Sequence, residues 1–178
     1  MDHFVITKSS REVNCNYSTS LARKDLIIGR HKEVEKILQL MTHGSTREIF
    51  SVIFIIGMCG IGKSIVAQVV YEESIDFDMK IWVSASEYVV KITRFIYLCA
   101  IEGEESVDDL YVLQADLNIL QVKLNNKFRG KKYLLVLDGY LSVSFNDWKV
   151  LSLPFDSGKS QCTVIITTQS DRVSSTVG

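Results

Sequence analysis

IFSVIFIIGMCGIGKSIVAQVV, residues 49–70, is the stretch on which the fold turns. Its first part, IFSVIFIIG (Ile49 to Gly57), is short, β-branched and aromatic, and apolar at consecutive positions. That pattern suits a strand covered by helices on both faces of a parallel sheet. The middle, GMCGIGKS (Gly57 to Ser64), places two glycines five apart and follows the second with lysine and a hydroxyl residue, which is the phosphate-binding loop pattern. In the last part Ile65, Val66, Val69 and Val70 set apolar groups on one side of a helix running to about Ser74. Strand, glycine-rich loop and helix together form the unit in which main-chain N–H groups and a helix N-terminus surround a phosphate chain.

The loop residues have separate parts in that chemistry. Gly57, Gly60 and Gly62 permit tight backbone curvature. Met58, Cys59 and Ile61 contribute main chain around the phosphates, and Cys59 reads as a small tolerated side chain rather than a nucleophile. Lys63 is a mobile point charge suited to β- and γ-phosphates, and the Ser64 hydroxyl suits a magnesium ion held by the same phosphates.

Outward from this unit the same alternation continues. On the N-terminal side Val34, Ile37, Leu38 and Met41 recur at helical spacing from Arg30 to about Gly44, with Lys32, Glu33, Glu35 and Lys36 opposite them. Residues 1–26 are polar and lack a sustained apolar period, so they read as a linker or arm, with the folded domain spanning 27–178. On the C-terminal side a strand is expected at Lys80 to Ser84. A helix follows over Val89 to Ala100, carrying Val89, Ile92, Phe95, Ile96 and Cys99 on one face. The acidic EGEES is a connection. Leu110, Leu113, Leu117, Leu120 and Leu124 trace one stripe of a long helix ending before Gly130. KKYLLVLD is a buried strand ending at Asp138, Trp148 to Leu151 add a helical turn, and CTVIITT (Cys162 to Thr168) is another strand. Buried strands alternating with helices give an α/β, three-layer P-loop NTPase fold with a mainly parallel sheet. Asp138 stands where such a sheet presents ligands, and its carboxylate can hold magnesium through water; the alternative is a cap or turn acid.

Composition removes other classes. The chain has 178 residues, 47% hydrophobic and 23% charged, with one proline, which fits one compact globular domain and excludes disorder or a Pro-rich linker as its main state. Twenty basic against 21 acidic residues leave no electrostatic footprint for nucleic acid or an anionic membrane. Cys15, Cys59, Cys99 and Cys162 form no CxxC pair, and His3, His31 and His43 share no ligand spacing. The N-terminus has no secretory pattern and Ile49 to Ile56 falls short of the roughly 20 apolar residues of a membrane span. A reducing, cytoplasmic setting is the expectation.

From Ile27 to about Ser175 the order IIGR, GMCGIGKS, FDMKIWVSAS, KKYLLVLD and CTVIITTQSDRV resembles the nucleotide-binding core of plant disease-resistance proteins, the NB-ARC class of intracellular immune receptors with leucine-rich repeats. The polar lead-in resembles the linker after a coiled-coil domain. The resemblance implies a defence switch held off with ADP and on with ATP, with Mg2+ at the phosphates. It implies that Ile28 and Arg30 lie beside adenine, although a helix-start arginine also has ordinary surface uses. It further implies that a last sheet strand and helical ARC subdomains lie beyond Gly178, so that the domain here is partial and its pocket half built.

Departures from the family pattern shape the expected activity. Gly139 replaces a second acid, which removes the water-orienting base. Gln169 replaces an arginine that senses the terminal phosphate, and Ile65 replaces a second hydroxyl after the loop. ATP hydrolysis is therefore expected to be very weak. Three readings follow: a truncated nucleotide-binding module with impaired hydrolysis, an interaction fragment or decayed remnant that binds no nucleotide and pairs with itself or with full-length receptors, and, less favoured, an active ATPase.

Overall fold

The computed structural model describes residues 21, 29–42, 50–85, 88–101, 116–141, 144–159 and 161–177. Four strands, β1 (Phe50–Ile56), β2 (Met79–Ser84), β3 (Tyr133–Asp138) and β4 (Cys162–Thr168), form a sheet in the order β1-β4-β3-β2, and every pairing is parallel. Six helices are described: α1 (His31–Thr42), α2 (Lys63–Glu73), α3 (Val89–Ala100), α4 (Leu117–Phe128), α5 (Phe145–Ser152) and α6 (Asp171–Val177). A 3-10 turn, Leu153–Ser157, continues from α5.

The central strands are buried on both faces, so alternate residues feed two cores. Leu135, Leu137, Val164 and Ile166 join Ile92 and Ile96 of α3, Leu120, Leu124 and Phe128 of α4, and Trp148 and Leu151 of α5. Leu134, Val136 and Ile165 point the other way, onto Val66, Ala67, Val69 and Val70 of α2 and Val34 and Ile37 of α1. The period of two in a strand, applied to a run with no polar interruption, produces this three-layer arrangement.

The expected fold class holds, with differences in detail. Among the described strands β1 lies at one edge of the sheet; of its residues only Ile53 is fully buried, and Ile56 is exposed. The coverage on both faces that its apolar character suggested is present in part: Phe50, Val52 and Phe54 pack against one core, and Ile53 and Ile55 belong to the other. On α3 the expected Ile92 and Ile96 lie in the core with Val89 and Cys99 packed against it. Ile92, Thr93, Ile96, Tyr97 and Ala100 are buried, and Phe95, expected in the core, is 42% exposed. The leucine stripe does not lie on one long helix, because Asp116 has extended backbone (φ −62°, ψ 155°) and α4 begins after it. Leu110, Leu113 and the EGEES connection lie outside the described residues, as do Gly44 and, apart from the exposed Leu21, the arm over 1–26. Trp148 belongs to a full helix rather than a single turn, started by the Ser144 hydroxyl accepting from the Asp147 N–H at 3.2 Å. α6 was not foreseen.

Candidate functional site

β1 delivers the chain into the loop at the C-terminal edge of the sheet, where the Gly57 N–H donates to the Thr168 carbonyl at 3.2 Å and ties the loop to the end of β4. Gly60 (φ +77°) and Gly62 (φ +93°) lie in the left-handed region, which only glycine enters without cost. Gly62 is also the residue from which α2 springs; it has no side chain to cap the first turn, and the helix ladder opens with the Val66 N–H donating to the Gly62 carbonyl at 3.0 Å. The positive end of α2 thus faces the loop interior. Lys63 folds back across the loop and donates to the Gly57 and Met58 carbonyls at 2.8 and 2.7 Å. Its ammonium is held at the loop, where a phosphate chain would meet it. Met58 and Cys59 are exposed, and Ile61 is half-buried.

The second component comes from β3 and β4. Asp138 ends β3 and is 5% exposed. Its Oδ1 accepts from the Ser64 hydroxyl at 2.9 Å, 74 residues away in sequence, and from the Thr167 hydroxyl of β4. The Asp138 carboxylate thus faces the loop's own hydroxyl. The Asp138 carboxylate and the Ser64 hydroxyl offer oxygen alone, which fits Mg2+, a hard cation that keeps waters and completes its coordination with phosphates. Among the described residues no group of three His, Cys, Asp or Glu side chains gathers as a metal cage. A cation here would accordingly depend on phosphates and water for its remaining ligands.

Arg30 precedes α1 and reaches the loop, donating to the Ile61 carbonyl at 3.3 Å and pairing with Glu33 at 3.1 Å. The Glu33 carboxyl is held below its ordinary value by its own backbone N–H first and by the Arg30 guanidinium second. A cleft of about 350 Å³ opens beside Arg30, lined by Glu33 and Ile37 of α1, the edge of β1, and Ile61, Gly62 and Lys63 of the loop. Its size falls within the roughly 300–1,000 Å³ typical of small-molecule sites. Ile28 lies outside the described residues.

The structure brings together every described residue expected in the site. It adds Thr167 and Thr168, which the sequence reading passed over as strand threonines. The three departures also take definite places. Gly139 follows Asp138 at φ +79° and is exposed. Gln169 is exposed just past β4, and Ile65 is half-buried against the core that α1 and α2 form with the sheet.

A parallel sheet that delivers a GKS loop onto a helix N-terminus, opposite a strand-end carboxylate, defines an α/β domain of the P-loop NTPase type. Comparison with known proteins narrows the class. The NB-ARC domain family model matches residues 30–178, and the chain belongs to the NB-ARC family. It is 31% identical over 166 residues, 89% of its length, to RPP13-like protein 1 of Arabidopsis thaliana. It is 32% identical over 164 residues to disease resistance protein RGA2 of Solanum bulbocastanum, again 89% of the chain. These alignments cover only 15% and 16% of the two relatives, so the chain spans about one sixth of their length. No described helix is long and apolar enough to cross a membrane.

Proposed function

We propose that the chain is an ADP- and ATP-binding switch module of a plant intracellular immune receptor, with Mg2+ as the accompanying cation and a cytoplasmic place of action. The observation that carries this reading is the contact of Ser64 with Asp138 at 2.9 Å inside a loop closed by Lys63. It joins the phosphate loop to a carboxylate on another strand in the arrangement a magnesium nucleotide needs. The α2 N-terminus and Lys63 balance phosphate charge, while the cleft beside Arg30 offers apolar wall for a base. Family membership and relatives named for disease resistance support the defence setting.

Hydrolysis is impaired in this reading. Attack by water needs a base to orient it and a cation for the charge that develops on the terminal phosphate. Gly139 supplies no base and Gln169 no charge. Binding without turnover is the chemistry of a switch rather than of a working ATPase.

The test is to purify the chain without added nucleotide, denature it, and quantify released ADP and ATP by chromatography. Copurifying ADP that disappears in a folded Lys63→Ala variant is the expected result. A folded wild-type chain that releases no nucleotide and binds none on titration sinks the reading.

One feature favours a second reading, pairing with another copy or with a full-length receptor. The β1 sequence FSVIFII contains neither proline nor charge, and its outer edge pairs with no described strand, a template for strand addition. Light scattering on the purified chain distinguishes the two: a monomer at high concentration argues against self-association.

A further inference from the structure

Thr167 sits on β4 between the loop strand and the acid strand. Leu137 pairs with Ile166, and the next residues on the two strands are Asp138 and Thr167. The Thr167 side chain is 1% exposed. Its hydroxyl accepts the Gly139 N–H at 2.8 Å and donates to Asp138 Oδ1. The two bonds are linked in direction. An amide N–H can only donate, so it occupies an oxygen lone pair and the hydroxyl proton is turned toward the carboxylate.

The backbone locks this triangle from three sides. The Tyr140 N–H donates to the Thr167 carbonyl at 2.9 Å, the Ala85 N–H donates to the Asp138 carbonyl at 2.8 Å, and the Gly57 N–H is held by the neighbouring Thr168 carbonyl. Asp138 Oδ1 therefore has two hydroxyl donors of different character. Ser64 belongs to the loop, and its oxygen is the one a magnesium ion would claim. Thr167 belongs to the sheet and is committed to the carboxylate whatever the loop does. With both on Oδ1, Oδ2 is the oxygen left to meet a hydrated cation.

We propose that Thr167 is a positioning residue for magnesium: it holds the Asp138 carboxylate in the orientation that a cation at Ser64 requires. The proposal rests on the nucleotide-binding reading above and deepens it, since Thr167 touches neither nucleotide nor metal and acts through Asp138.

The experiment titrates the chain with a fluorescent N-methylanthraniloyl-ADP in EDTA and across a series of MgCl2 concentrations. It compares wild type with Thr167→Val, which keeps the shape and removes the hydroxyl, and Thr167→Ser, which keeps the hydroxyl. Circular dichroism checks folding, and Thr167→Ala replaces the valine variant if that fails to fold. In wild type, Mg2+ tightens binding. In Thr167→Val this gain falls by about tenfold or more, the usual loss when a group orienting a metal ligand is removed, while affinity in EDTA is unchanged and Thr167→Ser behaves as wild type. A full Mg2+ gain in Thr167→Val overturns the proposal. So does an equal loss in EDTA and in Mg2+, which marks a merely structural role, and so does a wild type indifferent to Mg2+; these leave nucleotide binding standing. A folded wild type that binds no nucleotide under any condition overturns the nucleotide-binding reading, and the role of Thr167 with it.

Discussion

In the proposed reading Gly139 stands where a hydrolytic site would hold a base, and its backbone tells how to test that. At φ +79° it lies in a region that Asp and Asn tolerate better than other L-residues, and a Cβ added there meets nothing within 4 Å. Gly139→Asp is expected to fold and to supply the base that the proposed reading finds absent. General-base assistance is worth roughly 10²–10⁴-fold, so phosphate release from ATP should rise clearly above that of Gly139→Asn, which matches its size without a basic carboxylate. Equal rates in the two variants would locate the deficit at Gln169 instead. The loop residues were legible in the sequence because their spacing is itself the chemistry: glycines for positive φ at 60 and 62, lysine and hydroxyl at the start of the helix. Thr167 was not, because Thr163, Thr167 and Thr168 look alike on a β-branched strand. Only the register of β4 against β3 sets Thr167 beside Asp138.

At the level of elements, helix α3 shows how far periodicity carries. The helix itself, Val89–Ala100, follows from the sequence, but its apolar residues outnumber one face. Whether Phe95 or Tyr97 turns inward depends on what α4 and β2 offer. The structure buries Tyr97 and leaves Phe95 on the surface. The expected consequence is a large asymmetry between neighbours. Ile96→Ala, at a site with no solvent exposure, should cost about 2–5 kcal/mol, whereas Phe95→Ala should change stability by about 0.5 kcal/mol or less, as surface substitutions do. Urea titrations of the two variants read the difference from midpoints at constant slope. β1 carries the same lesson for strands: six apolar residues in seven announce a strand, yet the order that sets it at one edge of the described sheet is a tertiary fact.

For the whole molecule, two cysteines mark the outside and the centre. Cys59 is exposed on the loop, while Cys162 is buried at the start of β4 with the Tyr133 N–H against its sulfur at 3.4 Å. Burial is the chief influence that pushes the Cys162 thiol up from its ordinary value. A raised pKa keeps it protonated at a pH where an ordinary thiol is half ionised, and the thiolate is the reactive form. A maleimide at neutral pH should therefore modify Cys59 in the native chain and spare Cys162. Cys162 should react only at the rate of global unfolding, and raising the pH to about 8.5, near the pKa of an unperturbed thiol, should not abolish that protection. Mass mapping of the labelled peptides checks the order; early labelling of Cys162 would mean that the β4 end of the sheet opens on its own. The three-layer architecture itself was legible from alternating buried strands and helices, because both periods are local properties of the chain. How the layers are ordered across the sheet was not.

That order has a consequence for synthesis. β1 emerges well before its only described partner, β4, which is not finished until Thr168. Between the two, the nascent polypeptide carries an unpaired hydrophobic strand for more than a hundred residues, on the order of ten seconds at about 5–20 residues per second. The loop and Asp138 can be translated in that interval yet not assembled, since the strand that joins them arrives after both. A ribosome paused before residue 162 would hold a chain that needs a chaperone more than it needs a nucleotide.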